Sequence, residues 1–315
     1  MACKHHREYC VVPGDSEVEA WAIDRVQHES NKDWQKCFKK KLRQAVDKLR
    51  YDLPRDGLVH ATYRTKAQGN QPYDLENVLF YDFGIESWQT GMRFEKGTGD
   101  FPEAKCAASP NGRTPSHYDH HYHYVKHAKP DTAEGNQFTW WSLEKPLVRI
   151  EEVRFAENAE PCTQDCACVW YKCKMALAQQ GAENALNKPP DTFAVSLEVT
   201  LPARLRAQKV SPKGLFDGVI SCLHKCRPQD EERILTGLVA RLEGLGIPAS
   251  ENDVRRLLRS GAGAILEEAQ FADRGMRLTP QDDLCLAGEM RLLQDKEEAA
   301  VWKLSATVYD VKKTS

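Results

Sequence analysis

Long apolar runs are missing from this 315-residue chain, and so is a marked excess of charge of either sign. No stretch approaches the roughly 18 apolar residues of a membrane-spanning helix, so none is expected. The opening residues MACKHHREYC are polar and hold no signal-peptide core, which makes a cytoplasmic location the expectation. A net charge of −2 argues against bulk electrostatic attraction to nucleic acid, while leaving a local basic face open. Paired CxxC knuckles are also absent. The 11 cysteines are scattered and odd in number, which argues against a secreted disulfide framework. Most are expected to be reduced and buried as small apolar residues.

What is present is the composition of a soluble globular protein, 41% hydrophobic and 29% charged, long enough for one large domain or two ordinary ones. The chain is organised around residues 193–224. Phe193, Val195, Leu197 and Val199 alternate with polar or small residues and predict a strand. Pro202 ends it, having no N–H to donate. Ser211 and Pro212 then read as the N-cap and first position of a helix whose apolar stripe is Leu215, Val219, Ile220 and Leu223. Lys213 and Asp217 share a face of that helix, either as a surface ion pair or as part of a site.

Upstream, residues 1–20 read as an irregular lead-in. Residues 32–51 predict a helix with Trp34, Phe38, Leu42, Ala45 and Leu49 on one stripe. Its other faces carry Lys39, Lys40, Lys41 and Arg43, either a solvated surface or a phosphate-contacting one. Residues 58–65 predict a strand. In 72–84, Asp74 and Glu76 would converge on one divalent cation if extended, whereas at a helix start Asp74 is an N-cap with Asn77 in the first turn. Residues 96–137 are the least regular. Their cluster HYDHHYHYVKH offers transition-metal ligands, with His121 and His123 pointing the same way on a strand, but reads better as a polar loop.

Residues 138–155 predict one or two strands. Cys162, Cys166, Cys168 and Cys173 follow as CxxxCxCxxxxC, a candidate zinc or iron–sulfur set, with the stretch after Val169 helical. Residues 181–192 are linker-like. Residues 228–271 predict three short helices, a packing insertion or a helix-turn-helix mimic carrying Arg255, Arg256 and Arg259. Asp282 and Asp283 precede an apolar stretch, and residues 301–311 predict a closing strand.

The order strand, KxxxD helix, Asp-Asp pair, closing strand resembles the RusA-type Holliday junction resolvases, whose DxDNxxKxxxDAL segment enters a helix ahead of a DD pair and a final strand. Lys213 and Asp217 match the lysine and last aspartate, and Asp282 and Asp283 match the DD pair. The leading acids and asparagine fall on Ala207, Lys209 and Val210, which breaks the pattern. The first half shows the converse: Asp74, Glu76 and Asn77 match DxDN, while Phe80 holds the lysine position. The chain is thus similar to two fused, incomplete copies of a family that works as homodimers.

The resemblance implies a nucleic-acid-processing protein acting on DNA or RNA, a Mg²⁺-dependent structure-specific nuclease. Asp74 and Glu76, with Asp282 or Asp283, would hold the ion, and Lys213 would contact phosphate. The alternatives are a non-catalytic nucleic-acid-binding or complex-assembly subunit with protein partners, and a zinc-stabilised module. The expected fold is α+β, two lobes of mixed sheet with packed helices. A lobe of 1–160 would be joined through a Cys-rich connector, 161–192, to a lobe of 193–315 with its helical insertion at 228–271.

Overall fold

The computed structural model describes residues 8–51, 53–54, 57–66, 75–85, 90–105, 117–128, 138–155, 165–181, 189–202, 210–266, 284–294 and 301–314. Over these the fold is α+β, with parallel and antiparallel strand pairs. The chain divides into two units, 1–142 with 286–291 and 313–315, and 143–285 with 292–312.

In the first unit the supposed lead-in is a hairpin, β1 (Tyr9–Pro13) and β2 (Glu17–Ala22), closed where Gly14 N–H donates to Glu17 O. Helix α1 (Asp33–Tyr51) follows, then β3 (Leu58–Thr65), the single-turn α2 (Leu75–Leu79), β4 (Gly91–Lys96) and β5 (His120–His127). The strands pair in the order β1-β2-β5-β3-β4. The middle of β8 (Cys285–Gln294) joins β4, setting Arg93 opposite Glu289. Parallel β3 and β4 are connected through α2, while β5 returns antiparallel between β2 and β3.

The histidine-rich stretch is therefore a strand rather than a loop. Its alternation explains why: Tyr122 and Tyr124 are wholly buried, while His121 and His123 take the opposite face. Phe38 of α1 packs against Tyr9, Phe83 and Tyr122, with ring centroids 5.1, 5.6 and 5.8 Å away, so α1 covers the tyrosine face. The other face carries Glu19, His60, Arg93, Glu95, His121 and Glu289, all nearly buried.

The second unit begins at Leu143, so most of β6 (Trp141–Phe155) and α3 (Cys166–Gln179), expected as first lobe and connector, lie within it. β7 (Phe193–Leu201), α4 (Pro212–Cys222), α5 (Glu231–Gly244), α6 (Glu251–Arg259) and β9 (Trp302–Lys313) complete it. β9 pairs antiparallel with β7 and lies between β7 and β6. α4 starts as its sequence predicts, with Pro212 in its first turn.

α3 packs on α4 at Gly218, where a Cβ would sit 2.4 Å from Val169 Cβ; only glycine permits that approach. Among its described residues the insertion holds two α-helices, α5 and α6, after a short 3-10 turn at Pro228–Asp230. They are joined by Arg255 to Glu231 and Glu232 and by Arg259 to Glu231 at 2.8 Å, while Arg255 also pairs with Glu251 one turn back on α6 itself. The arginines proposed for a DNA-reading helix are thus paired with carboxylates of the insertion itself. Residues 261–266 are not helical; they dock by Ile265 and Leu266 N–H donating to Leu223 O, and by Lys174 Nζ donating to Ala262 O.

Among the eight described cysteines, Cys10 and Cys168 are disulfide-bonded and the other six are free. Most of the described cysteines are thus reduced, as expected, and the two disulfide-bonded ones are the exceptions. No helix among the described residues is long and apolar enough to cross a membrane.

Candidate functional site

Of the residues matched to the resolvase motif, the structure brings together Lys213 and Asp217. They sit one turn apart on α4, with Nζ 3.2 Å from Asp217 Oδ2 and side chains 29% and 21% exposed. An i,i+4 pair this accessible is worth about 0.3–0.5 kcal/mol. The N-terminus of α3 lies beside it. Burial first, then the charges of Asp217 and Asp165, push the Cys166 thiol up to about 11. Asp165 caps α3 by accepting from Ala167 N–H at 2.9 Å, and its other oxygen takes Arg241 Nε of α5 at 2.6 Å. Asp165 and Arg241 thus extend the Lys213–Asp217 pair into a mixed-charge cluster. The sequence signals only the cap, an aspartate just before the helical run starting at Cys166; Arg241 is 76 residues away and carries no local signal.

Glu76 belongs to the first unit, in the first turn of α2, where it is 4% exposed. The helix-start alternative therefore describes this segment, and the extended, cation-converging one does not, for Glu76 and Asn77. Asp74, Asp282, Asp283 and Cys162 lie outside the described residues.

The described members of the cysteine set form no thiolate cage among themselves. Cys166, Cys168 and Cys173 lie on one helix, and Cys168 is spent in a disulfide. Cys173 is fully buried, and a hydrogen bond with Cys222, then burial, raises its thiol well above the ordinary range. Cys222 in turn donates to Gly218 O at 3.1 Å. A metal needs deprotonated sulfur, which neither the disulfide-bonded Cys168 nor the buried Cys173 thiol offers in this arrangement.

On α1, seven cations face two carboxylates within 19 residues, a local excess that the chain's net charge conceals. Lys39 Nζ is anchored by the carbonyls of Gln27 and His28 at 2.8 and 2.6 Å. Lys41 lies 5.3 Å over the Tyr9 ring, and Arg43 Nε is 3.7 Å from Asp47. Lys40 is exposed. Lys39, Lys40 and Arg43, with Gln44, Asp47 and Phe83, line an open cleft of about 320 Å³.

Comparison with protein-family models, with curated proteins and with solved structures finds no match.

Proposed function

We propose that this chain is a non-catalytic nucleic-acid-binding protein that holds a phosphate backbone against α1. The observation that carries the reading is the cleft of Lys39, Lys40 and Arg43 on a helix with seven cations and two carboxylates. Fixed cations around a concavity match a polyanion, and such contacts position a backbone without reading sequence. Lys39, anchored through two carbonyls, is the pre-ordered member; Lys40 and Arg43 are the adaptable ones.

A catalytic version, a Mg²⁺-dependent structure-specific nuclease resembling the RusA-type resolvases, has its own support. Each unit, taken separately, runs strand, helix, strand, helix: β2-α1-β3-α2 in the first and β6-α3-β7-α4 in the second. In each, a later strand returns between the outer two, giving β2-β5-β3 and β6-β9-β7. The described residues matched to the motif fall at the same place in this order, Glu76 and Asn77 on α2 and Lys213 and Asp217 on α4. That repetition favours two fused copies. Against cleavage stands Glu76, nearly buried where an ion ligand needs access. The non-catalytic binding or assembly subunit is therefore preferred.

The test uses labelled four-way junction, duplex and single-stranded substrates with Mg²⁺ or Mn²⁺. Binding without cutting is expected, and Lys40→Ala with Arg43→Ala should lower the salt slope on duplex by about 1.8, roughly 0.9 per lost phosphate contact. Metal-dependent cutting abolished by Asp74→Asn would establish the nuclease instead. No binding to any substrate would sink both.

A further inference from the structure

The face of the first unit's sheet opposite α1 collects titratable side chains that backbone binding on α1 does not use. On β2 and β5 these are Glu17, Glu19, His121 and His123. Register sets Glu19 directly opposite His123, and His121 is two residues along the same face. His121 is only 3% exposed, flanked by the rings of Trp21 and Phe101 at 5.0 and 6.2 Å. Neither of its ring nitrogens has a hydrogen-bond partner. Nε2 points at Glu19 Oε1 from 3.6 Å, too far for a hydrogen bond. Buried polar nitrogens are normally satisfied, and leaving one unpaired carries its desolvation cost with no bond to offset it.

Its neighbour is held differently. His123 Nε2 lies 2.9 Å from Glu17 Oε2, the carboxylate contact that elsewhere orients a ligating imidazole. The two rings stack at 28° with centroids 6.1 Å apart. Glu19 itself is nearly buried, and its charge is met by Lys105, whose side chain is 59% exposed at the rim.

We infer that Glu19, His121 and His123 bind one divalent transition-metal ion, with Glu17 as the positioning carboxylate for His123. Two imidazoles and one carboxylate suit zinc or another first-row metal, where magnesium and calcium prefer all-oxygen sets. The donors stand on paired strands, so the backbone is already placed and only side-chain torsions must close. Among the described residues no three such groups converge on a common point as they stand, and Lys105 occupies the Glu19 carboxylate. The ion replaces that ammonium as the counter-charge and satisfies the orphaned imidazole. Three protein ligands leave a coordination position for water or substrate.

The test is equilibrium dialysis of the chelator-stripped full chain against Zn²⁺, with Co²⁺ as a visible-absorption probe. Wild type, Glu19→Gln, His123→Ala and Lys105→Gln are compared. Cysteines elsewhere also take up zinc, so the readout is the difference between proteins. Glu19→Gln and His123→Ala should each lose one equivalent and the matching Co²⁺ absorption, and Lys105→Gln should bind several-fold more tightly. His123 is partly exposed, so its variant is the safer one for folding, checked by far-UV circular dichroism. Unchanged stoichiometry and affinity in folded Glu19→Gln and His123→Ala overturn the site, as does weaker binding in Lys105→Gln. None of these outcomes bears on α1, whose cations remain intact in every variant.

Discussion

Gly218→Ala sets two magnitudes against each other at the point where α3 meets α4. In an exposed helix the change would stabilise by about 1 kcal/mol, because glycine is the poorer helix former. Here the new methyl would stand 2.4 Å from Val169 Cβ, 2.6 Å from Val169 Cγ1 and 3.1 Å from Cys166 O. Carbon atoms rest at about 3.5–4.0 Å, so the helices must part by on the order of 1 Å. Overpacking of this kind costs about 1–3 kcal/mol, and the obstructing atoms are a Cβ and a backbone carbonyl, neither able to rotate away. A 2.4 Å contact belongs to the upper part of that range, about 2–3 kcal/mol, so the net after a helix gain of about 1 kcal/mol is destabilisation by about 1–2 kcal/mol, read in urea as a lower midpoint at unchanged slope for the phase that reports the second unit. Val169→Ala should not rescue it, since alanine keeps the Cβ. Val169→Gly should, giving a favourable coupling in the double-mutant cycle. A Gly218→Ala protein as stable as wild type, or more so, would refute the close approach of α3 and α4. It would also remove the account of how Asp217, the preceding residue on α4, is held beside Cys166.

Two further outcomes follow from the first unit. Arg93 and Glu289 are cross-strand partners, 1% and 6% exposed by side chain, with Arg93 Nε donating to Glu289 Oε2 at 2.8 Å. Glu289→Gln should therefore cost about 3–5 kcal/mol, whereas the joint change Arg93→Met, Glu289→Leu should be near neutral; a single-variant loss under about 1 kcal/mol in urea titration would contradict this. Burial pushes the Tyr118 phenol up from 10 to about 12. With its folded pKa the higher one, its contribution is full below pH 10 and lost as pH rises through 12, on the order of 2 kcal/mol. Tyr118→Phe should flatten that part of the alkaline stability loss, and an unaltered slope would count against it.

Elements whose own residues alternate are legible in the sequence alone. Residues 58–65, 193–201 and 302–313 form strands as their periodicity predicts, and Trp34, Phe38, Leu42 and Leu49 turn inward on α1. The misreadings share a cause. In β5 the core face is made of tyrosines and the other face of histidines, so a strand buried on both faces looks polar by composition. Its placement between β2 and β3 is a long-range pairing with no local signal. In β1 and β2 the turn residues Pro13, Gly14, Asp15 and Ser16 do mark a hairpin, and the polar residues before them obscure it. At the candidate site the i,i+4 relation of Lys213 and Asp217 is readable because helix geometry alone sets it. The Asp165–Arg241 contact is not, because packing sets it.

The two faces of the first unit's sheet differ in what they cost to bury. The α1 side is aromatic and self-sufficient: Tyr63 and His120 share a 2.7 Å hydrogen bond, and Tyr124 donates to Leu79 O at 2.7 Å. The opposite side places charge in a poorly solvated setting. Glu95, fully buried, accepts from the N–H groups of Thr139 and Trp140 at 2.8 and 2.9 Å and lies 2.8 Å from His60 Nε2. Apolar residues of similar volume would give an equally good or better core at these positions. Stability alone therefore accounts for the tyrosine face and leaves the histidine face unexplained. Clustered titratable groups, with an imidazole whose basicity burial depresses as it does at His121, recur where a ligand or metal site requires them and in structural ion-pair networks as well. His121, buried and without a hydrogen-bond partner beside a carboxylate held by an exposed lysine, is where that requirement is most acute.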